Sequence, residues 1–408
     1  MTNEKNLKIK ESFLKTREKR QTQDCHVFSI KIQNNKLNRI QQEQLKMLFV
    51  EAKWLKNDIL NHFEQNHNFD YPSNQTYITK KNLDGSFEQR ELNYLGSQMK
   101  QSVYTDIISN LKTLHSLKTR NKQKVGKFKY CSEYKSINLK QFGNTYKIIN
   151  NSHLKIQNIK GGLSIKGLKQ IDFNKFELAN AKLINTPRGY YLNITCYCNK
   201  EITKPTNSEE IGIDMGIKTN LTLSNGLTIN ASIQESDRLK RLQRRLNLKQ
   251  KGSKNRKKLV NKIKVEYQKM NNKKKDLTNK IIHQLDQYSL IVIQDEMLAS
   301  WHSGFFGKQI QHSVLGKIKE KIKQKAAKDS RYIIISKKYK TTQICSNCGA
   351  IHKMKLTDRT YTCECGLSVD RDLNSAKNIL KIGQELIEFK PVEKPLVSKN
   401  QEDTRSLV

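Results

Sequence analysis

The sequence predicts an α/β domain in the second half of the chain, preceded by a β-rich region that carries a helical insert. Three observations lead there. Between residues 207 and 336, short Ile/Val-rich runs alternate with long helical patterns. Between 125 and 200 the apolar residues mostly alternate with period two, whereas between 45 and 117 they step by three and four. The 408 residues also carry 76 Lys+Arg against 38 Asp+Glu, a net charge of +38. A field of that sign opposes compaction unless a polyanion neutralises it, which points to nucleic acid. The 36% hydrophobic fraction is low but sufficient when patterned. The longest clear apolar run, residues 290–293, is far short of the ~18 a membrane span needs. Glu4, Lys5, Lys8 and Lys10 leave no apolar core for a secretory signal, and eight cysteines are too few for a disulfide scaffold. A cytoplasmic, nucleoid-associated bacterial protein is expected.

Each element follows from its local pattern. Residues 1–24 are polar and charged and are expected to form a flexible basic tail. Residues 26–32 alternate as a strand. Leu45, Leu48, Ala52, Leu55, Ile59 and Phe63 then mark one face of an amphipathic helix. Residues 66–90 are polar with turn signals at Pro72 and Gly85, and helical spacing returns over 91–117. Phe142, Tyr146 and Ile148 precede a strand at 153–157, and 179–184 faces 190–198 across Thr186-Pro187-Arg188-Gly189 as a hairpin. The simplest arrangement is a β-barrel built from 25–36 and 121–206, with a helical insert at 37–120.

A boundary falls at Lys204-Pro205-Thr206-Asn207. Residues 212–223 read as strand, turn, strand, with Asn225-Gly226 as the next hairpin turn. The stretch 238–275 holds 17 Lys/Arg and one acid, Glu266. Leu239, Leu242 and Leu246, then Leu259, Ile263 and Tyr267, make it two basic helices separated by Gly252. A grip on a phosphate backbone explains that charge better than a solvated face does. Residues 290–294 and 332–336 read as buried strands. Ile310, Val314, Ile318, Ile322 and Ala326 repeat every four and predict one helix with an apolar stripe. The tail 390–408 is expected to be disordered.

Candidate chemistry falls into two groups. Cys345 and Cys348, then Cys363 and Cys365, stand with 14 residues between the pairs and Gly349 and Gly366 beside them. Four thiolates on two tight turns suit a tetrahedral structural zinc with no open position for substrate, although the second pair has a single spacer residue. Cys196 and Cys198 share one side of a strand, and Cys25 and Cys131 stand alone; all four are expected to pack rather than ligate. Asp214 sits between Gly212 and Gly216, where a turn aspartate and a metal ligand are equally good readings. Glu296 ends the 291–296 strand, with Asp295 as its competitor. Asp372 follows the cysteines and opens a helix, where Asp370 and Asp372 could equally cap it.

Together the three acids in this order are a stronger signal than each alone. Three such carboxylates can hold two divalent ions about 3.5–4 Å apart, and hard oxygen ligands favour Mg²⁺ or Mn²⁺. The reaction implied is phosphodiester hydrolysis with the 3′-oxygen leaving. Trp301, Phe305 and Phe306 could stack on unpaired bases, but packing against the 310–326 helix is favoured two to one. Lys127 and Lys129 beside Phe128 and Tyr130 fit RNA phosphate or a strand flank equally.

The segment 212–226 resembles the first nuclease motif of the transposon-encoded TnpB proteins of the IS200/IS605 type and their miniature Cas12f descendants. Residues 293–298 resemble the second motif, and 341–349, 363–366 and 370–379 resemble the zinc loop and the third. The resemblance covers about 207–382; the N-terminal half agrees only in outline. It implies an RNase H-like (RuvC) nuclease domain at 207–389 with a zinc-ribbon insertion at 340–368, beside a wedge-type β-barrel with a helical recognition insert. It further implies an RNA-guided DNA endonuclease that uses a guide RNA from the 3′ end of its element and cuts matching double-stranded DNA beside a short motif. One chain per guide RNA is the favoured stoichiometry. The implied catalytic acids are Asp214, Glu296 and Asp372 with Mg²⁺, while Asp370 is left as a helix cap or exchanges roles with Asp372. Some relatives have lost acids and act as RNA-guided repressors, but none is missing here. A transposase and an unguided nuclease are the other rivals.

Overall fold

The period-two segments of the first half pair into a single curled sheet. The computed structural model describes residues 2–388 apart from 68, 73–74, 83–84, 121–125, 127, 201–203 and 356. The tail expected at 390–408 lies outside the described residues. The chain forms two units, Met1–Ile202 and Thr203–Val408. The first runs α1 (Thr2–Gln21), β1 (Gln23–Ile32), α2 (Arg39–Asn66), β2 (Tyr77–Lys81), β3 (Phe87–Glu91), α3 (Ser97–Arg120), β4 (Ser136–Leu139), β5 (Tyr146–Ile149), β6 (His153–Ile156), β7 (Leu163–Lys166), β8 (Glu177–Thr186) and β9 (Gly189–Asn199). Seven strands lie in the order β4-β8-β9-β1-β7-β6-β5, with neighbours antiparallel. The sheet curls until its ends approach: Tyr146 of edge strand β5 donates its hydroxyl to the Ala179 carbonyl in β8 at 2.7 Å. Ile30, Ile32, Leu154, Leu183, Leu192 and Ile194 belong to its buried core. The β8–β9 hairpin closes with Thr186 opposite Gly189.

Helix α2 begins with a capping box, Asn38 and Gln41 bonding reciprocally, and buries the whole predicted stripe from Leu45 to Phe63. On that buried face Glu51 accepts hydrogen bonds from the backbone N–H groups of Asn93, Tyr94 and Leu95 at 3.0, 2.8 and 3.0 Å. It thereby fixes the approach to α3.

Three expectations for this unit need correction. Residues 2–21 form helix α1 rather than a flexible tail, because a segment rich in Lys, Glu, Leu and Arg without Gly or Pro favours helix even where no apolar face exists. Its end is tied down by Lys19 and Arg20, which pair with Glu177 at 2.8 and 2.9 Å, and Arg20 lies over the Tyr197 ring at 3.7 Å. Residues 77–91 form a hairpin whose polar alternation gives no hydrophobic period, with Ile78 deeply buried in it. Cys196 and Cys198 are buried as expected, but Cys25 is exposed and does not pack.

The second unit runs β10 (Glu210–Met215), β11 (Leu221–Leu223), β12 (Thr228–Ile229), α4 (Asp237–Asn247), α5 (Lys254–Leu285), β13 (Leu290–Gln294), α6 (Leu298–Ser303), α7 (Gly307–His312), α8 (Leu315–Ala326), β14 (Tyr332–Ile335), β15 (Thr360–Thr362), β16 (Ser368–Asp370) and α9 (Arg371–Glu388). Its five-stranded sheet has the order β12-β11-β10-β13-β14. β10, β13 and β14 are parallel, and β11 and β12 return antiparallel. All five residues of β13 are buried, as its apolar run predicts for a central parallel strand. Ile281, Ile282 and Leu285 of α5, with Ile318 and Ile322 of α8, share one core with Ile211, Ile213 and Ile293. Ile379 of α9 packs on Val292, Ile333 and Ile335 on the opposite side. The two basic helices pack through Leu239, Leu242, Leu259 and Ile263, with Gly252 at φ +85° in the turn between them.

The stripe from Ile310 to Ala326 is two helices rather than one. Between α7 and α8 the backbone leaves the helix to pair with another segment: Ile233 N–H donates to the His312 carbonyl at 3.0 Å and Val314 N–H to the Ala231 carbonyl at 2.7 Å. Among the described residues, no helix is long and apolar enough to cross a membrane.

Candidate functional site

The site is built where α9 lies against β10 and β13. Its closeness depends on absent side chains. A Cβ on Gly212 would stand 2.1 Å from the Ala376 carbonyl oxygen and 2.6 Å from the Leu380 amide, and one on Gly383 would meet Val292 at 2.4 Å. Gly212 therefore makes room for a helix, not for a ligand. A Cβ on Gly216 would meet the Thr219 carbonyl at 2.5 Å and stand 4.0 Å from Asp372 Oδ2.

This packing brings the predicted acids into one electrostatic neighbourhood. Asp214, near the end of β10, keeps only a small part of its side chain open. Burial pushes its carboxyl up to about 7, the negative charges of Asp372 and Glu296 push the same way, and a Ser375 hydroxyl donating to Oδ1 at 2.9 Å opposes them. Asp372, in the first turn of α9, pairs with Arg371 at 3.1 Å. Asp370 accepts from the N–H groups of Asp372 and Leu373 at 2.9 and 3.1 Å, so it caps α9 and leaves Asp372 free of that task. Glu296, just past β13, is also raised by burial, with the Lys319 charge opposing.

Asp295 is occupied elsewhere. Lys319 and Lys323 pair with it at 2.6 and 3.0 Å and hold its carboxyl low. Lys319 also donates to the Glu296 carbonyl, which fixes the backbone from which Glu296 projects.

The cysteines converge on their own centre. Cys345 and Cys365 sulfurs are 3.6 Å apart, as are those of Cys348 and Cys363, and all four lie within 4.8 Å of one another. A tetrahedral zinc about 2.3 Å from each sulfur sets them about 3.8 Å apart, so the donor set fits zinc. Gly349 and Gly366, at φ +78° and +86°, turn the two knuckles in the left-handed region that glycine adopts freely. Asn347 donates to the Cys365 sulfur at 3.5 Å, which with the Leu367 N–H lowers that thiol to about 6. His352 Nε2 lies 3.4 Å from the Cys363 sulfur, a neighbour that the Cys spacing gave no sign of. Among the described residues no other group of His, Cys, Asp or Glu gathers its ligand atoms this tightly. The three acids do not gather this tightly, and their all-oxygen donor set is of the kind that suits a hard divalent cation.

The remaining candidates separate. Trp301 packs against the sheet core as expected. Phe305 is fully exposed and Phe306 is exposed, contrary to the packing favoured for them, because the chain is turning between α6 and α7 there. Tyr130 donates to Glu64 at 2.6 Å, Phe128 lies under Lys56 at 5.6 Å, and Lys127 is outside the described residues.

Two family models match this sequence. Residues 194–295 match the OrfB_IS605 family, described as "Probable transposase", and residues 316–379 match the "Cas12f1-like, TNB domain". The first spans Asp214 and stops one residue before Glu296; the second spans the four cysteines and Asp372. Over these two segments the chain matches the TnpB/OrfB_IS605 family and its Cas12f1-like relatives. Among curated relatives, a Streptomyces pristinaespiralis protein named "Putative RNA-guided DNA endonuclease" is 30% identical over 47% of this chain and 49% of its own length. An Acanthamoeba polyphaga mimivirus protein named "TnpB-like protein L79" is 29% identical over 45% of this chain and 38% of its own length. The chain thus spans half or less of the length of these curated relatives. A solved Cas12f1–sgRNA–target DNA complex aligns at 15% identity over 83% of this chain and 82% of that chain, with a TM-score of 0.44.

Proposed function

We propose that this chain is an RNA-guided DNA endonuclease that hydrolyses phosphodiester bonds with Asp214, Glu296 and Asp372. The observation that carries the reading is the convergence of three acids from distant parts of the sequence: Asp214 is drawn out of water beside α9, and the charges of Asp372 and Glu296 act on it against that of Arg371, an arrangement that a bound cation relieves. The sheet order β12-β11-β10-β13-β14, antiparallel on one side of β10 and parallel on the other, supports an RNase H-like core. The name of the Streptomyces relative supports RNA guidance and DNA as substrate. Mg²⁺ or Mn²⁺, when bound, supplies an acidified water and charge neutralisation at the leaving 3′-oxygen.

The chain's own residues do the rest. Asp214, Glu296 and Asp372 hold the cations. Arg371 restrains Asp372, Lys319 orients the backbone at Glu296, and Ser375 holds one Asp214 oxygen. The basic faces of α4 and α5 bind phosphate, and exposed Phe305 offers a stacking surface for an unpaired base. The cysteine cluster holds a structural zinc.

The test has two stages. RNA that copurifies with protein expressed from its native flanking DNA is sequenced, and the species recovered then programmes cleavage of a matching supercoiled plasmid, with Asp214→Ala as control. A discrete RNA from the 3′ side of the gene and wild-type-only cutting are expected. Heterogeneous cellular RNA overturns guidance. Discrete RNA with binding but no cutting moves the assignment to a guided repressor, and joined DNA ends move it to a transposase.

A further inference from the structure

Between β13 and α9 runs a buried row of hydrogen bonds to which the family resemblance assigns no role. It begins at Gln294, the last residue of β13. Its Nε2 donates to the carbonyls of Ser336 and Tyr339 at 3.2 and 2.7 Å. With both amide protons committed, Oε1 is oriented the other way and accepts from the Thr341 hydroxyl at 2.9 Å. Thr341 Oγ1 also lies 3.0 Å from Ser375 Oγ, so its one proton is shared between Gln294 Oε1 and Ser375 Oγ, while the Ser375 proton goes to Asp214 Oδ1 at 2.9 Å. Gln294, Thr341 and Ser375 are 4%, 2% and 0% exposed, so water does not compete for these contacts.

The row is also braced from the side. Asn378 donates to the carbonyls of Thr341 and Ile344 at 2.9 and 2.6 Å. Asn374 donates to the Ile344 carbonyl at 2.7 Å and accepts from the Ser346 N–H at 2.9 Å. The segment leading into the first cysteine knuckle is thereby latched to the helix that carries Ser375. One end of the row is a clamped amide, and the other is a single oxygen of Asp214. Asp214 Oδ2 has no hydrogen-bond partner among the described residues.

We propose that Ser375 and Thr341 are positioning residues that aim Asp214 at its divalent cation, holding Oδ1 so that Oδ2 is left to face the ion. This rests on the reading of Asp214 as a metal-binding acid. A carboxylate free to rotate loses that freedom when it binds metal; one already held by a buried hydroxyl loses less. Outer partners of this kind typically change metal affinity by about 10–100-fold.

The experiment measures Mn²⁺ binding directly, by loss of the free-ion electron paramagnetic resonance signal, on the full-length chain at one pH. Wild type is compared with Ser375→Ala, Thr341→Val, Thr341→Ser and Asp214→Ala. Ser375→Ala is expected to weaken Mn²⁺ binding about tenfold. Thr341→Val, which keeps the shape and removes the hydroxyl, is expected to act in the same direction but less. Thr341→Ser, which keeps the hydroxyl, should stay near wild type, and zinc content and RNA affinity should not move. A purely structural role would lower thermal stability in Ser375→Ala without changing Mn²⁺ affinity, and that result overturns the proposal. If Ser375→Ala does not fold, the Thr341→Val and Thr341→Ser pair carries the same decision. If Asp214→Ala binds Mn²⁺ as well as wild type does, the metal reading of Asp214 fails first. If Asp214→Ala loses binding while the hydroxyl variants keep it, the positioning role alone fails.

Discussion

Glu51 and Asp214 are both carboxylates drawn out of water, one in each unit, and burial raises both above the ordinary carboxylate range. Their surroundings differ in donors and in acidic neighbours. Glu51 sits among three converging backbone N–H groups, with Lys100 adding a favourable charge. Asp214 has one hydroxyl and two negative neighbours, with the Arg371 charge the smallest influence opposing them. A buried acid whose oxygens are satisfied by amides joins segments together. One surrounded by its own charge is held in place by the fold and awaits a cation. Burial alone therefore does not mark a functional acid; what matters is what faces it.

The sharpest way to break this contrast is to remove each acid in turn. Asp214→Ala and Glu296→Gln are expected to abolish plasmid cleavage by orders of magnitude while RNA binding, read by filter retention, stays intact. Cutting retained in Glu296→Gln would remove Glu296 from the site. Glu51→Ala is expected to do the reverse. Three amides lose their acceptor inside the core, so unfolding by denaturant should show a loss of about 3 kcal/mol, with Glu51→Gln milder because it keeps one acceptor oxygen. An Ala variant as stable as wild type would show that water replaces the carboxylate there.

The pH dependence sharpens the comparison further. The folded Asp214 carboxyl, at about 7, lies above its ordinary value of 3.8, so the folded form holds this proton more tightly than the unfolded form does. Metal-free stability should therefore fall as pH rises from about 4 through about 7. Asp214→Asn removes that penalty. It is expected to exceed wild type at pH 8 by on the order of 4 kcal/mol and to match it near pH 4, in thermal melts without divalent ions. Zinc removal by a chelator should raise hydrogen exchange over 341–370 and leave β13 protected; equal protection before and after would dismiss the zinc.

The smallest effect belongs to Glu177, an acid on the surface. Arg20 and Lys19 hydrogen bonds hold it down to about 2, below the usual 4.5, so its tie to α1 is complete above about 4.5 and is lost as pH falls through about 2. Because the pair is exposed, Arg20→Ala should cost within about 1 kcal/mol and show only as faster exchange in α1.

Some of this was legible in the sequence because its signals are local. The apolar run of β13, the Thr186–Gly189 turn, the two basic helices around Gly252 and the Cys knuckles each lie within a few residues of their own cause. Other features depend on partners far along the chain. The break at Ser313 needs the backbone at 231–233, and Asp372 is freed from capping only because Asp370 turns to its own helix. Helix α1 and the 77–91 hairpin have no apolar period to read. Glu51 left a trace: it stands three residues after Leu48 and four before Leu55, on the apolar face of α2, where an unpaired acid has no reason to be. The hydroxyl row from Gln294 to Asp214 left none, since Thr341 and Ser375 are ordinary residues until the fold aligns them.

Gly212 carries a warning for anyone diversifying this chain. It has no reactive group and touches no ion, yet any side chain there collides with the backbone of α9 and pushes Asp372 and Ser375 away from Asp214. A library selected for activity would reject substitutions at position 212 about as severely as at the acids themselves. Intolerance to mutation would then rank a spacer among the reactive residues, and only a measurement that separates folding from turnover would tell them apart.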